Sequence, residues 1–203
     1  MQKIMFNDRY GLTDAVIEGQ KTNTRRIVSP NQRYEEIRLW QPSLELEYGI
    51  YGYTEDDGWV YIKPKYRVGE IVSVAQSYEQ AYRQGNMNAD EAIIRGLKYD
   101  PGMCNKMYVR AALMPHQIRI TGIRYERLQD ISDEECMKEG VVDVTYFKIG
   151  ERPYELFALP GHEYEETFNT PRQAFAALID KVSGRGTWDQ NPWVVVYEFE
   201  LVK

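Results

Sequence analysis

Histidine and cysteine are nearly absent: the 203-residue chain has two of each, His116 and His162, Cys104 and Cys136. The cysteines stand far apart without C-x-x-C spacing, which argues against a disulfide framework and makes a reducing cytoplasm the expected compartment. A zinc centre built from His and Cys would need all four scattered residues to converge, so neither a metal nor another cofactor is expected. No run approaches the roughly 20 apolar residues of a membrane span. The first eight residues lack the long apolar stretch of a secretory signal, and no membrane partner is expected. A basic excess is missing too: 25 Lys and Arg face 31 Asp and Glu, for a net charge of −6. Nucleic-acid binders are usually basic, so any anion site must be a local patch.

What is present suffices for one folded domain spanning residues 1–203. Hydrophobic residues make up 43% and charged residues 28%, enough for a real core. Leu12, Ala15, Val16 and Ile17 predict a short helix stopped by Gly19. Residues 27–66 read as an irregular excursion with a hairpin around Glu55-Asp56-Asp57-Gly58. A strand is predicted over Val68–Val74 and a short helix near residues 88–94. Gln117–Leu128 alternates as a long strand, with Gly122 marking a bulge. Ser132 with Glu135 opens a helix over Asp133–Glu139 that Gly140 closes, and Thr170 with Gln173 opens another that begins at Pro171. Phe175, Leu178, Ile179 and Val182 give that second helix an apolar stripe. In the last segment Trp193, Val195, Tyr197, Phe199 and Leu201 share one strand face. Without a βαβ rhythm, these elements predict an α+β fold with a small barrel-like sheet and a few short helices.

The charge is unevenly placed. Residues 106–127 hold five basic residues against one acid, and residues 128–166 hold eleven acids against three basic residues. Lys21, Arg25 and Arg26 form a second basic cluster, and Arg185 sits in a Gly-Arg-Gly turn. If these segments converge they make a local phosphate-binding surface. Arg119 and Arg124 read equally well as the solvated face of a strand. Trp188, beside Arg185, is a candidate for stacking on a base, whereas Trp193 is in phase with core positions. Lys21-Thr22-Asn23-Thr24 is the best candidate for chemistry: a buried lysine gives up its proton easily, and a threonine hydroxyl can attack or hold a substrate.

Gly19-Gln20-Lys21-Thr22-Asn23-Thr24-Arg25-Arg26 resembles the G-x-K-T-x-T-x-R signature of the ASCH domains, relatives of the PUA-like RNA-binding barrels. Tyr66–Val72, Ile120–Gly140 and Gly186–Phe199 are similar to further family segments in the same order. The resemblance runs from about residue 5 to residue 201, with insertions at about 30–62 and 80–105. It implies a PUA-like β-barrel whose mouth takes RNA or a nucleotide; together with the charge and aromatic pattern above, this makes Thr22, Arg25, Arg26, Arg119, Arg185 and Trp188 the candidate ligand contacts. A second activity implied by the family is amide hydrolysis of 4-acetylcytidine. Its lysine, threonine and glutamate fall on Lys21, Thr24 and Glu139, with Arg25 or Arg26 near the oxyanion. Val74-Ala75-Gln76-Ser77-Tyr78 departs from the V-R-E-T/S-W stretch common in the longer bacterial and prophage members. A third expectation needs no pocket: the acidic segment 128–166 as a protein-interaction surface.

Overall fold

The computed structural model describes residues 1–28, 34–40, 49–84, 96–145, 155–163 and 165–202. From the N-terminus its elements are β1 (Lys3–Ile4), α1 (Leu12–Ile17), β2 (Asn23–Ile27), β3 (Glu36–Trp40), β4 (Gly49–Thr54), β5 (Gly58–Tyr61) and β6 (Ile71–Val74). There follow α2 (Tyr78–Arg83), β7 (Gln117–Arg127), α3 (Asp133–Lys138), β8 (Val142–Asp143), β9 (Phe157–Ala158) and β10 (Thr167–Phe168). The chain ends with α4 (Pro171–Ser183), α5 (Thr187–Gln190) and β11 (Trp193–Leu201). This is a mixed α and β architecture with three sheets and short helices. No described helix is long and apolar enough to cross a membrane.

The main sheet has the order β1-β6-β7-β11-β2. β1 pairs parallel with β6, and the other neighbours are antiparallel. The sheet therefore has two edges, β1 and β2, and no ladder among the described residues closes it into a barrel. The edges are linked instead by a side chain: Arg26 on β2 donates from Nη2 to the Met5 carbonyl, just beyond β1, at 2.7 Å.

Residues 27–66, expected to be irregular apart from one hairpin, contain a second sheet, β3-β4-β5. The expected hairpin joins β4 to β5, and Gly58 takes the left-handed φ of +67° that its end requires. Gly49 and Gly52 on β4 lie under Tyr61 and Tyr34, where a Cβ would clash. Glycines that weaken a strand signal are here what admits the tyrosine rings. The helix expected near residues 88–94 lies outside the described residues.

The core is built on β6, β7 and β11, with Val72, Val74, Ile118, Ile120, Val194 and Val196 all but fully buried. Along β7 the register against β11 slips by one residue: Ile120 faces Phe199, while Gly122 faces Glu198. The bulge expected at Gly122 is therefore present, with Thr121 as the extra residue. It changes the parity of the strand. Before it, Ile118 and Ile120 share a face with Leu201 and Phe199; after it, Ile123 and Tyr125 do so with Tyr197 and Val195. Without the extra residue Arg124 and Glu126 would point where Ile123 and Tyr125 now pack.

Helix ends follow the sequence signals. Ser132 Oγ accepts from the Glu135 N–H at 3.3 Å, and Glu135 Oε2 accepts from the Ser132 N–H at 3.3 Å. Thr170 Oγ1 accepts from the Gln173 N–H at 3.2 Å and starts α4. The α4 stripe of Phe175, Leu178 and Ile179 is buried.

The parity argument makes a stability prediction. Ile120→Ala, at a fully buried site, is expected to cost about 2–5 kcal/mol, and Thr121→Ala, at an exposed one, no more than about 0.5 kcal/mol. Deleting Thr121 should cost at least as much as Ile120→Ala in denaturant unfolding. A deletion as mild as Thr121→Ala would show that the bulge does not set the strand's parity.

Candidate functional site

The loop after α1 places Lys21 against the end of α3. The Lys21 N–H bonds the Ala15 carbonyl at 2.9 Å, and the Thr22 N–H bonds the Lys138 carbonyl at 2.9 Å. Lys21 Nζ adds a bond to the Glu139 carbonyl at 2.8 Å. Two carbonyls left over at a helix C-terminus thus find donors in this loop, with the cation at the end that favours it. Gly140, with φ of +104°, turns the chain away immediately afterwards.

Glu139 is the hub. Its Oε2 accepts from Lys21 Nζ at 2.5 Å and its Oε1 from Arg25 Nη1 at 3.0 Å, and all three residues are buried. Arg25 also donates from Nε to Glu126 at 2.8 Å and from Nη2 to Glu135 at 2.8 Å. Arg124 joins from β7 through Glu126, Glu135 and Glu198. The β7 bulge and the α3 capping box therefore both deliver carboxylates to Arg25. Burial pushes the Lys21 ammonium below its ordinary value of 10.5. Glu139 opposes that shift, and the charges of Arg26 and Arg25 add to it.

This cluster opens onto a cleft of about 350 Å³ lined by Lys21, Thr24, Arg25, Arg26 and Glu139. Phe6, Leu12, Phe175, Leu178 and Ile179 form its apolar wall. β2 is an edge strand, hydrogen-bonded only to β11. Side chains from both its faces, Thr24 and Arg26 on one and Arg25 and Ile27 on the other, therefore reach one cleft. No described residue makes a hydrogen bond with the Thr24 hydroxyl.

Lys21, Thr24, Arg25, Arg26 and Glu139, singled out from the sequence, are thus brought together. The other candidates are not. Thr22 contributes its backbone to the α3 end and does not line the cleft. Arg119 pairs with Glu200 at 2.7 Å on the exposed part of the sheet. Arg185 is exposed in the turn before α5. Trp188 packs edge-on to Phe175, with the Arg172 guanidinium 5.1 Å from its ring centre, and is part of the packing around the core. Arg25 lies in the cluster, but its guanidinium is held by three carboxylates, which makes it a support for Glu139 more than a ligand contact. In the acidic segment, Glu135 and Glu139 face this network, and Glu165 and Glu166 pair with His162 and Lys181.

Sequence reasoning missed the apolar wall and the supporting acids. Phe175 and Leu178 were legible as a helix stripe, and Glu135 as a capping residue. Nothing local marked either as part of a site. Comparison of the chain with protein-family models, curated proteins and solved structures finds no match.

Removing the hub should be worse than removing one spoke. Glu139→Ala leaves two buried cations without their shared carboxylate and is expected to cost about 3–5 kcal/mol. Lys21→Met leaves Glu139 bound to Arg25 and should cost clearly less in the same unfolding measurement. Equal losses would contradict the assignment of Glu139 as the shared counter-ion.

Proposed function

We propose that the cleft is the active site of an amidohydrolase acting on a nucleoside-sized substrate, and that the chain is a PUA-like domain of the ASCH type. One observation carries the reading: the buried Lys21–Glu139 pair opens onto a cleft of about 350 Å³ that also receives Thr24. That volume lies in the range of small-molecule sites, roughly 300–1,000 Å³. The ordered motifs of the ASCH resemblance support the same class, with an acylated exocyclic amine such as that of 4-acetylcytidine as the substrate.

The reaction adds water to an amide carbonyl and releases a carboxylic acid and an amine. Lys21, in its neutral form, takes a proton from the attacking water. The lowered proton affinity of its buried amine makes that form accessible. The water oxygen bonds to the carbonyl carbon, and the electron pair of the C=O bond moves to oxygen. Backbone N–H groups on the unpaired side of the edge strand β2 stabilise this oxyanion. Collapse breaks the C–N bond, and the Lys21 ammonium returns its proton to the departing nitrogen. Glu139 holds Lys21 in place through the 2.5 Å contact, and Arg25 holds Glu139. The Thr24 hydroxyl bonds the substrate and fixes the carbonyl beside Lys21. The apolar wall of Phe6 and Phe175 packs against the planar base.

The assay uses 4-acetylcytidine and follows release of cytidine. Lys21→Ala is expected to reduce turnover by about 10²–10⁴-fold, and Thr24→Val to reduce it more than Thr24→Ser. Equal turnover by wild type and Lys21→Ala would sink the lysine's role, and a trapped acyl group on Thr24 would replace water as the attacking group. Binding without turnover in wild type would make the cleft a nucleotide- or RNA-binding site alone.

The pH dependence has a definite sign. Lys21 works as a base when unprotonated, and burial lowers its proton affinity. The rate should rise with pH and level off below 10.5, the unperturbed lysine value. A rate that falls across this range would contradict the neutral-lysine step.

A further inference from the structure

Arg25 and Arg26 are adjacent and chemically identical, yet their surroundings are opposite. Arg25 is held by three carboxylates. Arg26 has no ion pair among the described residues, and its one hydrogen bond there goes to the Met5 carbonyl. The guanidinium lies 5.6 Å from the Phe6 ring centre and is partly buried. It carries five N–H donors, most of them without a protein acceptor.

Arg26 also borders two cavities. One is the cleft described above; the other, of about 230 Å³, is lined by Met5, Arg26, Lys65, Tyr66 and Tyr197. In the second cavity the Tyr197 hydroxyl accepts from the Lys65 N–H at 2.8 Å. Its own hydrogen is donated to no described residue. The Tyr66 hydroxyl donates to the Lys3 carbonyl at 3.0 Å and is therefore occupied. The Lys65 ammonium lies 5.2 Å from the Tyr66 ring centre, and the residue is exposed at the edge of the cavity. The cavity thus gathers a guanidinium with unused donors, a hydroxyl with an unused hydrogen and an exposed ammonium. None of its five lining residues is acidic.

We infer that this second cavity is an oxyanion subsite that receives the phosphoryl group of a nucleotide whose base occupies the main cleft, with Arg26, Lys65 and Tyr197 as its donors. A partly buried guanidinium with unused donors favours an anion with several acceptor oxygens. A phosphoryl group matches a guanidinium, which can donate two parallel hydrogen bonds to it. Arg26 borders both cavities, so a ligand with its base in the main cleft and its phosphoryl group in the second cavity would meet this guanidinium at both ends. The substrate is then a phosphorylated nucleoside in preference to the free one. This rests on the main cleft being the base site proposed above, but not on the hydrolytic step.

Calorimetric titration of the full chain with cytidine, cytidine 5′-monophosphate, cytidine 3′-monophosphate and inorganic phosphate tests it. At least one monophosphate should bind about tenfold or more tightly than cytidine. That gain should vanish in Arg26→Gln and shrink in Lys65→Gln and Tyr197→Phe. Lys65 is exposed, so Lys65→Gln preserves the test if Arg26→Gln fails to fold. Inorganic phosphate should bind weakly, compete with the preferred monophosphate and lose its affinity in the same variants. Equal affinities for cytidine and both monophosphates in wild type would overturn the inference. So would a gain that survives both Arg26→Gln and Lys65→Gln, or phosphate that binds without competing with either monophosphate. Absence of turnover of both 4-acetylcytidine and its monophosphates, together with an Arg26-dependent gain, would defeat the hydrolytic reading and leave this one standing.

Discussion

The carboxylate of Glu139, shared by Lys21 and Arg25, is the contact on which the rest of the site depends. It lies at the end of a six-residue helix too short to be stable alone. Donors from the loop before β2 and from β2 itself fix that end in place. The same contacts aim a lysine into an apolar cleft and keep a buried positive charge from standing uncompensated. Folding and chemistry therefore draw on one set of atoms.

Around that hub the sheet supplies carboxylates by two unrelated devices. One extra residue on β7 puts Glu126 and Arg124 on the face shared with Val194 and Val196, toward Arg25, and leaves the other face to Ile123 and Tyr125. A capping residue on α3, Glu135, closes its own helix turn and also reaches the Arg25 guanidinium. Neither device is chemical by itself. Together they surround Arg25 so completely that Glu139 has one geometry available, and Lys21 inherits it. The cleft forms where the sheet ends, because an edge strand leaves both its faces and one side of its backbone within reach of a ligand.

Much of this was legible in the residues. The helix stops at Gly19 and Gly140, the two cap signals, the bulge glycine and the apolar face of β11 all follow from local rules. Local rules also brought Lys21 and Thr24 forward as candidates, and the ASCH resemblance added Glu139. The contrasting fates of Arg25 and Arg26 were not legible, because the acids that claim Arg25 lie about a hundred residues away. Trp188 looked free for stacking because Phe175 and Arg172, which pack against it, belong to a different helix. The β3-β4-β5 sheet was legible only as one hairpin in a stretch interrupted by Pro30, Pro42 and Pro64, and Gly49 and Gly52 lie under the Tyr61 and Tyr34 rings. The barrel-like sheet was expected from the strand-rich, βαβ-free pattern and from the ASCH resemblance, and the described ladders give a five-stranded sheet without a closing ladder. Alternation reports which face is buried, not whether two edges meet.

The alternation of β2 has a further consequence. Sliding this strand by one residue against β11 would exchange Arg25 and Arg26. Arg25 would then take the face beside the Met5 carbonyl, and Arg26 would be turned toward Glu126, Glu135 and Glu139. In most edge strands a slip exposes some apolar surface and little else. Here it would also scramble a network of buried charges, so the ionic cluster acts as a proofreading device for strand register.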